Sequence, residues 1–401
     1  MVSLTIKENT LNTISFNNTV VSDDTWKVLA DFREIDHAKI DSILKNMFGN
    51  IKNLLPDNFK YEITKEESNS NYLADSGTYY DEYKIKMKAD EHEQELTFLY
   101  PKLLQKNYFV LNGSFYIPLI FLERSPIDIL RNEKRGENIF VNLLPTFNLT
   151  FNFAKNTLVF RKKEAMLNAF MKALYGEESD RYKKLVNDNI IEDTPLTEQE
   201  SKIHVLKMMG IHNTEFFENN NMTLSEFFDD YLFLEYFKGM FEDFFGVNTI
   251  KEVVQQVITY HIDEVEIDMA SLRNRRIVCN EYLITAVYEM YLRLLFNSVE
   301  KKENQSFLPT MNKRVILTTG FRGLMHGGNF FNIGLPYTSP IINKISQDIY
   351  IISDSRIPKS WTSNHPSALG RICPISVSAQ NMGSNIVGTN NMLVNHYGRV
   401  K

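Results

Sequence analysis

The sequence predicts an α+β fold with two or three domains, on three observations. Short apolar–polar alternations crowd the stretch from about 80 to 160, and an aromatic-rich helical block occupies 201–250. At 401 residues the chain is also too long for one small core. Shares of 43% apolar and 23% charged residues are those of an ordinary soluble protein, and 28 Phe with 19 Tyr can build large cores. Cys279 and Cys373 are the only cysteines, too few for a disulfide framework or a zinc cage, which fits a reducing cytoplasm. Residues 1–8 lack the apolar core of a signal peptide, and no stretch reaches the apolar length of a membrane span.

Taken in order, residues 38–48 place Ile40, Ile43, Leu44, Met47 and Phe48 on one helical face, and 66–71 reads as a loop. Tyr83, Ile85 and Met87 alternate with Lys84, Lys86 and Lys88, a strand with one wet face, and 95–100 gives a second strand. Residues 108–117 form a hairpin around Asn112-Gly113, the pair that tolerates the positive φ values of a tight type I′ turn. Residues 147–153 and 157–160 are two strands joined by a turn, and 164–174, rich in Ala, Met and Leu, predicts a helix. In 201–250 the rings of Phe227, Phe228, Tyr231, Phe233, Phe237, Phe241, Phe244 and Phe245 are read as core. The acids between them would repel a phosphate backbone, which argues against a base-stacking platform. Leu283, Val287, Met290, Tyr291 and Leu294 mark a long amphipathic helix, and 348–353 is a buried-type strand.

Charge is unevenly spread. Residues 301–401 hold 11 Lys/Arg and 3 Asp/Glu, a balance of +8, so that the first 300 carry −14 of the net −6. An acidic body with a basic end suits contact with nucleic acid along one edge, and suits a simple solubility role equally. Two stretches concentrate arginine. In 268–277, Arg273, Arg275 and Arg276 fall within four positions, costly to bury, hence solvated or aimed at phosphates. In 364–375, Pro366 and Pro374 bracket a turn at Gly370 and present Arg371, either as an ordinary Pro/Gly loop or as a binding surface. The glycine-rich 320–329 lacks the spacing and lysine of a P-loop. No carboxylate cluster, metal-type histidine spacing or Ser-His-Asp arrangement can be named; Asp229-Asp230 reads as surface acid on an aromatic helix.

Four stretches carry a family resemblance. Residues 364–375 (NHPSALGRICPI) resemble the HPxxxGRxCPI signature in the fork of the β subunit of multisubunit RNA polymerases. The NG hairpin followed by Phe121-Leu122-Glu123-Arg124-Ser125-Pro126 is similar to the family's FxxNG(S/T)…RSPG, with Ile127 in place of glycine. Asp268 to Ile277 looks like DxxxLxNRRI, and 339–347 is similar to NPLxEIT with one inserted residue. These matches stand in the family's order over roughly residues 80 to 375, whereas 376–385 lacks both glutamates of the family's ETPEGPNxG.

The resemblance implies a first part of the protrusion at 1–128, a lobe at 129–267, the protrusion's return at 268–318 and the fork at 319–401. It also implies the N-terminal fragment of a β subunit of a DNA-directed RNA polymerase, a nucleotidyltransferase, of the split kind found in giant phiKZ-like bacteriophages. Such a chain would work in the cytoplasm of the infected bacterial host, away from membrane. Its partners would be the C-terminal β fragment, the β′ fragments, a promoter-specificity subunit, template DNA, the RNA transcript and NTPs. No cofactor or metal is expected on this chain, since the family's Mg²⁺-binding aspartates belong to another subunit. Arg371 is expected nearest the active centre, helped by His365; Arg273, Arg275, Arg276 and Arg124 near phosphates; and Lys344 and Gln347 along the RNA path. For Arg124 a surface or salt-bridged arginine is the plain alternative. For the whole chain it is a noncatalytic phage structural or interaction protein with a degenerate β-subunit fold.

Overall fold

The computed structural model describes residues 77–278 with gaps at 90–91, 105–107, 119, 133–135, 145–146, 161–162, 215–216, 219–220 and 269. It also describes 13–16, 19–22, 27–28, 40–52, 60–66, 72–73, 285–299, 314–316, 330–334, 348–352, 365–372, 384–388 and 392–400. Helix and sheet are mixed, as an α+β chain requires. Among the described residues no helix is long and apolar enough to cross a membrane.

The alternating stretches became strands with the expected faces. In Thr78–Ala89, Tyr83 and Ile85 are buried while Lys86 and Lys88 are exposed, and the strand pairs antiparallel with Lys60–Glu66 and His92–Pro101. Phe109–Leu111 and Ser114–Pro118 form the hairpin, with Asn112 at φ 51° and Gly113 at φ 75°. The Ile40–Lys52 helix buries Ile43 and Met47. Thr285–Val299 is a helix that buries Tyr288, Tyr291, Leu292, Leu295 and Val299. The strand expected at 348–353 is Asp348–Ile352.

Ile127–Asn132, Gly136–Leu144, Phe147–Asn152, Thr157–Phe160 and Lys163–Met166 make a five-stranded antiparallel meander in chain order. The helix expected over 164–174 starts later, at Leu167–Tyr175, because the preceding four residues complete this sheet. Ala165 turns inward while Lys163, Glu164 and Met166 stay exposed, and ladder bonds to Thr157–Phe160 override the helical propensity of Ala and Met. Asn156, at φ 50°, then accepts the Asn168 N–H on its side chain at 3.0 Å and starts the helix.

Helices Asp180–Asn187, Glu198–Met209, Glu235–Phe245 and Ile250–Ile262 continue this part of the chain. Phe228 sits 6.2 Å from Phe147 and 5.9 Å from Phe170, and Phe170 meets Phe151 and Phe160 edge-on. Of the aromatics read as core in 201–250, Phe227, Phe228, Tyr231, Phe233, Phe237 and Phe241 are buried, whereas Phe244 and Phe245 are half-buried at its edge.

A separate mixed sheet gathers strands from distant parts of the chain. Ile120–Arg124 pairs antiparallel with Arg275–Val278 and parallel with Asp348–Ile352, which in turn pairs with Ser384–Gly388. Residues 392–400 close over it. The Ile277 N–H donates to the Gly398 carbonyl at 2.8 Å, Asn395 donates to Asp243 at 3.0 Å, and the Arg399 guanidinium lies 5.2 Å above the Phe244 ring. Gly398 has φ 84°, and a Cβ there would overlap the Ile277 carbonyl. Gly398→Ala should therefore cost about 1–3 kcal/mol and release this segment, read as a lowered Tm and faster amide exchange at Ile277.

Candidate nucleic-acid interface

Three of the four stretches singled out above meet at one end of the mixed sheet. Ile120 and Leu122, Leu272 and Ile277, and Met392, Val394 and Val400 form one apolar cluster, with Ala368 and Ile372 packed against it. The sheet register sets Arg124 opposite Arg275 and Glu123 opposite Arg276. After Ser125-Pro126 the chain passes directly into the Ile127–Asn132 strand with Ile127 fully buried, so no glycine-type turn forms there.

Arg124 Nη1 donates to Asp128 Oδ2 at 2.6 Å, across a salt bridge whose carboxylate side is buried. The other oxygen, Oδ1, is buried without a hydrogen-bond partner. Burial pushes the Asp128 carboxyl above its ordinary value, against the pull of the Arg124 and Arg275 charges. Burial, and then the like charge of Arg124, also lowers the Arg275 guanidinium, opposed by Asp128 and Asp268. Two arginines that are register partners thus both feel one buried carboxylate, which Arg124 contacts directly.

Arg275 and Arg276 are 6% and 7% exposed, so two of the three arginines expected to be solvated or to face phosphate are enclosed by protein. Strand alternation sends them to opposite faces. Arg276 Nη1 reaches Met240 Sδ at 2.6 Å on the Glu235–Phe245 helix, while Arg275 lies within the field of Arg124 and Asp128. Arg273 remains exposed.

His365 begins the one-turn 3-10 helix Pro366–Ala368. Its Nδ1 accepts the Ser367 N–H at 3.1 Å and lies 2.7 Å from Ser367 Oγ. The Leu272 N–H donates to that same Oγ at 2.9 Å, 95 positions away in sequence. Because Nδ1 accepts from a backbone N–H, the ring proton belongs on Nε2, which lies 3.0 Å from Asp268 Oδ2. Arg371 Nη1 donates to the Ser367 carbonyl at 2.7 Å.

Asp268, His365 and Ser367 thus line up as acid, imidazole and hydroxyl, an arrangement sequence spacing did not suggest. Here it holds a turn. Ser367 Oγ already accepts one N–H, and His365 Nδ1 is shared with the Ser367 amide in the manner of an N-cap, which leaves the hydroxyl poorly placed as a nucleophile.

Lys344 and Gln347 lie outside the described residues, as do Cys279, Cys373 and the 320–329 stretch. Asp229 is half-buried and accepts the Ile250 N–H at 2.6 Å at the start of the Ile250–Ile262 helix, a cap rather than a free surface acid. Among the described residues no group of three or more His, Cys, Asp or Glu could hold a metal ion. The carboxylates at the convergence, Asp128, Asp243 and Asp268, each face an arginine or histidine instead. No protein-family model matches this sequence, and neither does any curated protein.

Proposed function

We propose that this chain is the N-terminal part of the β subunit of a multisubunit DNA-directed RNA polymerase of the phage type, forming one side of the DNA/RNA cleft. The observation that carries this reading is the convergence. Described parts of the stretches at 121–126, 268–277 and 364–375, matched to the family on sequence alone, meet at one cluster tied by the Leu272–Ser367 and Asp268–His365 contacts. Four short matches in the right order specify far more than any single one, and a shared location supplies a reason for three of them to coexist. On this reading the partially exposed Arg371 and exposed Arg273 face phosphates, Arg124 stands beside them, and Arg275 and Arg276 brace the sheet behind.

The test is reconstitution. Purified with the chains that accompany it in native complexes, this protein is expected to extend RNA on a preformed RNA–DNA scaffold in the presence of Mg²⁺ and NTPs; alone it is expected to add no nucleotide. Extension by the isolated chain, or a native complex without polymerase partners by mass spectrometry, would refute the proposal.

One observation favours the second reading, a noncatalytic interaction protein on a degenerate β-subunit scaffold. The arginine-rich stretch keeps two of its guanidinium groups enclosed by its own fold. In that case the native complex would contain virion or assembly proteins.

A further inference from the structure

We infer that Asp268, His365 and Ser367 form a positioning relay that aims the Arg371 guanidinium, resting on the reading of Arg371 as a phosphate-facing arginine of the cleft. The Asp268 carboxylate is anchored at its own end, where Oδ1 accepts the Ala270 N–H at 2.9 Å. Its Oδ2 fixes His365 through Nε2 at 3.0 Å. With Nε2 carrying the proton, Nδ1 accepts from the Ser367 amide and stands 2.7 Å from the Ser367 hydroxyl. That hydroxyl accepts from Leu272, so its own proton is available to Nδ1, and every hydrogen in the chain has one direction. The last member is the Ser367 carbonyl, which holds Arg371 Nη1 at 2.7 Å.

A guanidinium at the end of a flexible stem loses rotamer freedom when it binds a phosphate. Holding one amino group on a fixed carbonyl removes part of that loss beforehand, provided the carbonyl itself does not move. Ser367 is kept in place by bonds to two segments, its own turn and the 268–272 stretch, which is what a positioning group requires. His365 has both ring nitrogens engaged in this relay, which assigns it to positioning rather than to direct contact with nucleic acid.

The experiment is a double-mutant cycle in the reconstituted complex, reading single-nucleotide addition (kcat and KM for the NTP) and complex melting. Asp268→Ala is expected to slow addition about 5- to 10-fold with little change in complex yield or melting. Asp268→Asn, whose amide oxygen still accepts from Nε2, should recover most of the rate. His365→Asn, which keeps the turn cap but cannot reach Asp268, should resemble Asp268→Ala. In an Arg371→Ala background, Asp268→Ala should add nothing further. Multiplying effects, or a loss of melting temperature without loss of rate, would overturn the relay while leaving the slow Arg371→Ala variant in support of the cleft reading. A fully active Arg371→Ala complex would overturn both.

Discussion

Asp128→Ala is expected to destabilise the folded chain by about 3 kcal/mol, because it removes the buried carboxylate that Arg124 holds at 2.6 Å and whose charge acts on the enclosed Arg275. Arg124 and Arg275 are register partners, so their Cα atoms stay close whatever their side chains do. Arg124 is about one-third exposed and can turn toward water, whereas Arg275 is enclosed and cannot. Asp128→Asn keeps an acceptor for Arg124 Nη1 and should cost only about 1 kcal/mol.

Wild type and Asp128→Asn also separate by pH. The carboxyl of Asp128 is held above 3.8, chiefly by burial, so the folded state binds its proton more tightly than the unfolded state does. Stability from this group is full below 3.8 and falls as pH rises through the raised folded value. Asparagine does not titrate. Chemical denaturation from pH 3.5 upward should therefore show the stability difference shifting in favour of Asp128→Asn as pH rises. A difference that is flat with pH would mean that the arginines fully compensate the buried charge.

The contrast between Asp128 and the Asn112 hairpin shows what local sequence can express. Asn-Gly dictates its own turn through backbone sterics, and the alternation at 83–88 dictates its own wet face, so both are readable without knowing the rest of the fold. Helix starts were also within reach: Thr197, Thr223 and Thr249 each stand three residues before a glutamate that completes a capping box. The beginning of the Leu167–Tyr175 helix was not, because the strand before it is imposed by a neighbouring strand rather than by Ala165 or Met166 themselves.

Site residues divide in the same way. Arg371 and Arg273 stand out as charges on a rigid loop and a polar turn. The burial of Arg275 and Arg276 depends on a sheet whose strands come from around 120, 275, 350 and 385, and nothing local announces it. Asp128 carried one faint signal, an acid inside the apolar run Ile127–Leu130, four positions after an arginine. Asp268 and Ser367 carried less, since their roles exist only once the two segments touch.

If the chain is the polymerase subunit proposed above, Arg371→Ala in the reconstituted complex is expected to slow nucleotide addition about 10- to 100-fold, or about 1.4–2.7 kcal/mol in transition-state stabilisation. The backbone, not the side chain, shapes this loop. The amides of Arg371 and Ile372 both donate to the Ala368 carbonyl, at 3.0 and 2.9 Å, and Gly370 takes φ 74° in open space. Truncating the side chain therefore removes its hydrogen bond to the Ser367 carbonyl and leaves these backbone bonds of the turn in place. On that reading assembly and DNA binding should persist while the rate falls, since a charge-assisted contact from Arg371 in a cleft of low dielectric would act where charge develops on the transferring phosphate. Arg371→Lys should recover little of the rate, because a lysine cannot hold the Ser367 carbonyl and present a planar fork to phosphate at once. If Arg371 instead only braces its own loop, the order reverses, with melting and complex yield falling in the alanine variant before any change in rate. Single-turnover addition on a preformed RNA–DNA scaffold, measured beside the melting curve of the same preparation, separates the two. A normal rate in a fully assembled Arg371→Ala complex removes this arginine from the chemistry.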